Sequence, residues 1–260
     1  MLIDSHAHLQ DPDLLPDLED VLRRAQDAGV EGIICVGYDL SSSQLAVKLA
    51  EEYPFIWAAV GVHPENLDSL APDTYDRLAE LAKRPRVVAW GEVGLDYVHG
   101  DPDRARQKEA FRRQLGIAQA LNLPVIIHNR EAHGDTLAIL EEAGPRQQAG
   151  VMHCFSGSAE FARECLALGY YISFAGPVTF KNARRVREVA ATIPAERLLC
   201  ETDSPYLSPE PYRGQRNEPA RVVEVATQLA SLFGETLETF APRLTANARR
   251  LFDLDRFLQD

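Results

Sequence analysis

His6 and His8 stand two residues apart behind the apolar run 2–5, and on an extended strand that spacing turns both imidazoles to one side while Ala7 faces the other. Two imidazoles on one face suit two bonds to one divalent ion. A His-x-His pair alone is a common motif, and a hydrogen-bonded core histidine is its ordinary rival. Four more donors follow apolar runs in the same way: Glu92 after 87–91, His128 after 124–127, His153 after Val151 and Met152, and Asp203 shortly after 198–200. A catalytic zinc usually takes three protein ligands and leaves one position for water, so six donors exceed one open site. Two ions fit them better, with His6, His8 and Asp203 on one, His128 and His153 on the other, and the bidentate Glu92 between. Such a pair acidifies a shared water and stabilises attacking and leaving oxygens, which is hydrolytic chemistry. These donors suit zinc, manganese and, less comfortably, magnesium.

Two further residues are placed to meet a substrate. His63, in Gly61-Val62-His63-Pro64, also ends a strand-like run and is expected to donate a hydrogen bond or, if protonated, a charge to a phosphate. Arg130, two residues beyond His128, has the fork that grips a phosphate, with a surface salt bridge as its rival reading. Cys154 adjoins His153, but alternation is expected to turn it to the opposite face, between strand and helix. His99 and His133 receive no role. The four cysteines include no Cys-x-x-Cys pair, which argues against a zinc ribbon or disulfide scaffold. No Gly-x-Ser-x-Gly elbow and no phosphate-binding glycine loop occurs, so metal-activated water is the remaining chemistry.

Positioning these donors requires that several strand ends meet. Eight short apolar runs (2–5, 32–36, 56–61, 87–92, 125–127, 150–152, 171–174 and 198–200) alternate with helical patterns such as 14–28, 42–52, 104–121, 135–142 and 159–168. Gly29, Gly144 and Gly169 read as helix stops. A helical pair, 219–233 and 237–251, closes the chain. Eight β/α units in a chain of this length predict a TIM (β/α)8 barrel, whose strand ends form one rim where active sites are built. An open doubly wound sheet is the runner-up, disfavoured because no Gly-x-Gly-x-x-Gly turn follows any strand. With 45% hydrophobic and 25% charged residues and no linker or repeat, the 260 residues read as a single domain, 1–260. Neither an export signal nor a membrane span is evident, which predicts a cytoplasmic location. The formal net charge of -12 leaves no basic stripe for gripping duplex DNA, although bound cations would still draw an anionic substrate. No obligate protein partner is evident.

The motifs together resemble those of the TatD deoxyribonucleases, metal-dependent hydrolases related to the amidohydrolase superfamily. The resemblance spans nearly the whole chain: residues 3–9, 61–64, 91–97, 124–128, 153–157 and 201–207, in that order. It implies a TIM barrel, two divalent metals held by His6, His8, Glu92, His128, His153 and Asp203, and removal of nucleotides from DNA, often from a 3′ end. It also implies that Asp203 takes a proton from the attacking water. Residues 213–219 resemble the family's final motif, which makes Arg213 and Arg216 expected substrate contacts. Asn129, Glu131 and Val93 depart from the usual pattern without removing a ligand. The expected function is therefore a 3′–5′ exonuclease-like deoxyribonuclease acting on single strands or ends. The alternative is an ester or amide hydrolase such as a D-aminoacyl-tRNA deacylase, and a non-catalytic metal-binding module is the reading from another class.

Overall fold

The computed structural model describes residues 1–257; the last three residues of the expected 1–260 unit lie outside them. Strands β1 (Leu2–Ala7), β2 (Val30–Val36), β3 (Ile56–Val60), β4 (Val87–Asp96), β5 (Val125–Arg130), β6 (Gly150–Met152), β7 (Tyr170–Phe174) and β8 (Leu198–Cys200) form one parallel sheet in sequence order. Helices α1 (Leu18–Asp27), α2 (Leu40–Glu52), α3 (Thr74–Leu81), α4 (Arg104–Ala120), α5 (His133–Ala143), α6 (Ala159–Ala167) and α7 (Arg184–Ala190) make the crossovers, and α8 (Val222–Leu232) and α9 (Leu237–Phe252) follow β8. The sheet closes just past β8. Ala7 bridges Ser204 in parallel, His8 N donates to Ser204 O at 2.8 Å, and Asp203 N donates to His6 O at 2.9 Å. Sequential order with closure gives the predicted TIM barrel, and excludes the doubly wound alternative.

The core has two layers. Outward residues such as Ile33, Ile56, Ile127 and Ile172 pack with the apolar faces of the helices, whereas Ile3, Ile34, Trp57, Val88, Ile126, Val151, Tyr171 and Leu199 fill the barrel. Leu251, Phe252 and Leu254 join the inner group and plug the end where the strands begin. The opposite end is therefore left for polar side chains.

Two crossover helices, α3 and α7, lie outside the five patterns singled out in the sequence. Both are short, so that in TYDRLAEL and RRVREVA the three- and four-residue apolar spacing runs for about two turns only. The strand expected to end at Glu92 instead runs on to Asp96. It pairs Gly94 with His128 and Asp96 with Arg130, an approach so close that a Cβ on Gly94 would lie 1.9 Å from the His128 carbonyl oxygen. Gly29, Gly144 and Gly169 all take positive φ after their helices, as expected of stops.

Candidate active site

Plain alternation delivers two of the donors to the polar end. Ile126 and Val151 point into the barrel, so His128 and His153, two residues later, do too. The same period carries Leu199 to Glu201. His6 and Glu92 arrive differently. Asp4 and Ala7 of β1 oppose Ile33 and Cys35 of β2, three steps against two, and the extra residue lets Ser5 and His6 both face inward. A second shift between Trp90 and Val93 inserts Glu92 in the same way. Without these bulges the alternation begun at Ile3 would send His6 and His8 outward among the helices.

The side chains then converge closely. His6 Nε2 lies 3.2 Å from His8 Nε2, 3.3 Å from Glu92 Oε2 and 3.6 Å from Asp203 Oδ1, while His8 Nε2 lies 3.7 and 3.5 Å from those two oxygens. Tetrahedral ligands with bonds of about 2.0–2.2 Å stand about 3.3–3.6 Å apart, so the spacing fits one small cation. The second oxygen of Glu92 turns the other way, with His128 Nδ1 at 2.9 Å and His153 Nε2 at 2.8 Å; those nitrogens are 3.4 Å apart. One carboxylate thus faces two donor sets.

The outward nitrogens strengthen the fit. His8 Nδ1 meets Val36 O at 2.8 Å, His128 Nε2 meets Asp96 Oδ2 at 2.9 Å, and His153 Nδ1 meets Glu201 Oε1 at 3.2 Å. A metal-ligating histidine characteristically fixes its other nitrogen in this manner. Two buried polar atoms here, His6 Nδ1 and Glu201 Oε2, have no hydrogen-bond partner among the described residues. Such unsatisfied groups are expensive in a purely structural core, and a polar ligand at this end of the barrel would relieve them.

Burial would raise the Glu92 and Asp203 carboxyls, but the imidazoles around them outweigh it and hold both below the ordinary carboxylate range. Burial would lower His153, but Glu92 and Glu201 outweigh it and raise the imidazole well above its usual value. His63 is different. Burial, followed by the neighbouring His128 charge, lowers it to about 3, and its Nδ1 accepts from Glu65 N at 3.1 Å. Its Nε2 lies 3.5 Å from Glu92 Oε1, and the lowered value favours the hydrogen-bonding option over the charged one.

These groups border a cleft of about 790 Å³ whose lining includes His8, His63, Glu92, His128, Arg130, His153 and Asp203. Arg130 makes no ion pair with the described residues. Cys154 also lines the cleft, contrary to expectation: β6 stops at Met152, so alternation ends before Cys154, which takes φ +42. Arg213 and Arg216 are not brought to it. Arg216 binds both oxygens of Asp17 at 2.7 and 2.8 Å and Asp13 O at 2.6 Å, and the Arg213 guanidinium lies 3.8 Å from the Phe180 ring centroid. Sequence reasoning gave no role to Asp96 or Glu201. Counting on by two from Glu92 and Leu199 would have found both.

Known proteins match the chain over nearly its whole length. The family model described as TatD related DNase matches residues 3–253. An uncharacterized metal-dependent hydrolase, YabD of Bacillus subtilis, is 48% identical over 255 residues, covering 98% of this chain and all of that protein. A 3′–5′ ssDNA/RNA exonuclease TatD of Pantoea vagans is 39% identical over 259 residues, covering 97% of this chain and all of its own. Among solved structures, the TatD homologue YJJV of Escherichia coli superposes with a TM-score of 0.91 at 34% identity, covering 97% of this chain and 98% of its own.

Proposed function

Since the chain belongs to the TatD related DNase family of metal-dependent hydrolases, we propose that it is a deoxyribonuclease removing nucleotides from the 3′ end of single-stranded DNA. The observation that carries the reading is the division of Glu92: Oε2 faces His6 and His8, and Oε1 faces His128 and His153. Two divalent cations would be held there, with His6, His8 and Asp203 on the first, His128 and His153 on the second, and Glu92 shared. Bound in that way, they supply Lewis acidity and a water acidified to near neutrality. Asp203 lines the cleft as an ionised carboxylate, so it is able to accept the proton that the attacking water loses. Arg130, the only lysine or arginine on the lining among the described residues, would orient the phosphodiester, and His63 would offer it a hydrogen bond.

A substrate panel tests this. End-labelled single-stranded DNA and D-aminoacyl-tRNA are offered to the metal-loaded enzyme, and stepwise shortening of the DNA from its 3′ end is expected. Release of only the amino acid would replace the nuclease with the ester hydrolase, and no turnover on either would favour a binding module. Asp203→Asn should retain its fold by circular dichroism and lose about 100-fold or more in kcat, the usual scale for removing a positioned base. Undiminished turnover would take Asp203 out of the chemistry.

A further inference from the structure

Among the described residues five large apolar side chains are exposed, and two of them, Tyr206 (51%) and Leu207 (37%), are neighbours on the lip of the cleft. An exposed tyrosine is usually free to swing, but this one is held. Its hydroxyl donates to Asp11 Oδ2 at 2.8 Å, its amide donates to Asp203 O at 2.9 Å, and its carbonyl accepts from Asn217 Nδ2 at 2.6 Å. Leu207 adopts φ +55, and its carbonyl oxygen would lie 1.8 Å from a Cβ on Gly176, so the next residue is seated as tightly. Backbone strain of this kind persists only where surroundings impose it, and it collects at ligand-binding sites.

The ring stands beside the metal-facing histidines. Its centroid is 6.1 Å from that of His8, and Tyr38, also on the cleft lining, lies 5.6 Å from His8. Arg130 and the cations that Glu92 and Asp203 would hold would provide for an anion, while a fixed aromatic face at the lip provides for a flat apolar group attached to it. A nucleotide at a strand end carries both: a phosphodiester and an unpaired base with an open π-face.

We propose that Tyr206, with Tyr38 beside it, is the stacking site for the base of the 3′-terminal nucleotide, so that the enzyme favours an unpaired base as well as a phosphodiester. This rests on the nuclease reading above. It goes beyond it by assigning the specificity for single-stranded ends to one tethered ring.

The test uses two 5′-labelled single-stranded oligonucleotides that differ only at the 3′-terminal residue, which carries adenine in one and is a stable abasic unit in the other. Wild-type enzyme should show a kcat/KM about 10-fold higher for the adenine end, the scale of one base–aromatic stack. Tyr206→Leu keeps apolar bulk without the π-face and should compress that ratio to about twofold or less. Tyr206→Phe keeps the ring and should preserve most of it, which separates stacking from a merely structural role of the side chain. An equal ratio in wild type and the leucine variant, or no preference in wild type, would overturn the stacking site while leaving the nuclease intact. Cleavage of neither oligonucleotide by wild type would remove the nuclease reading, and this inference with it.

Discussion

At the residue scale, a histidine ligand is oriented and made more basic when its second nitrogen is hydrogen-bonded, and here Asp96 and Glu201 do that for His128 and His153. Glu201 also accepts from Cys154 N at 2.7 Å, so one oxygen fixes both the His153 ring and the turn after β6. Glu201→Gln and Asp96→Asn are close in shape and should leave the barrel folded. Metal affinity, measured by competition with a chelator of known strength, should fall about 10- to 100-fold in each. Undiminished affinity in both would show that these carboxylates do not support the ligands. The six donors were legible because each follows an apolar run. Their supporting carboxylates were not singled out, although Asp96 and Glu201 share the inward phase. What no pattern announced was the extra residue in β1 and in β4, since a bulge is a backbone event that the side-chain alternation does not encode.

At the scale of the element, the segment between β8 and α8 does two jobs, and the motif at 213–219 belongs to the second. Asn217 Nδ2 donates to Thr202 O at 2.9 Å as well as to Tyr206 O, tying the segment back to the Asp203 turn. Arg216 and Arg24 grip Asp17, and Arg24 also binds Glu218 at 2.7 Å, so the segment is strapped to the start of α1. An arginine-rich motif beside an active site invites a phosphate-binding reading; the bidentate geometry that would hold a phosphate here holds a carboxylate. The hydrogen bond from Arg216, assisted by Arg24, lowers Asp17 to about 2 from an ordinary 3.8. A depressed carboxyl contributes stability that is fully present above the unfolded value and is lost as pH falls through the folded one. Asp17→Asn and Arg216→Ala should therefore each lower the urea midpoint at pH 7, with the Asp17→Asn deficit shrinking as pH drops from about 4 toward 2. The contribution of so exposed a pair is modest, up to about 1 kcal/mol. Combined, the two changes should be less than additive, because either one already breaks the contact. Strict additivity would return Arg216 to the list of candidate substrate contacts.

At the scale of the molecule, the barrel is a gradient of polarity: α9 and the residues just after it seal one end with Leu251, Phe252 and Leu254, and the other gathers imidazoles and carboxylates. The order of the strands and their common direction were readable because eight apolar runs alternated with amphipathic ones, and the two short helices not singled out do not alter which way the strands run. Charge has a consequence at this scale. The chain carries a formal -12, Arg130 is the only lysine or arginine on the cleft lining among the described residues, and none of its described helices is long and apolar enough to cross a membrane. Single-stranded DNA released from its counterions gives a slope of log affinity against log salt of about -0.7 per phosphate neutralised. If the proposed cation pair and one arginine meet one or two phosphates of the proposed substrate, kcat/KM for a single-stranded oligonucleotide should fall with a slope no steeper than about -1.5 in saturating metal. Screening of repulsion between an acidic protein and an acidic strand opposes even that decline. Initial rates at low substrate across a range of monovalent salt, with the divalent ion held fixed, measure the slope. A value steeper than about -3 would mean that several more phosphates are gripped, and that a basic track outside the cleft governs how this enzyme takes hold of its strand.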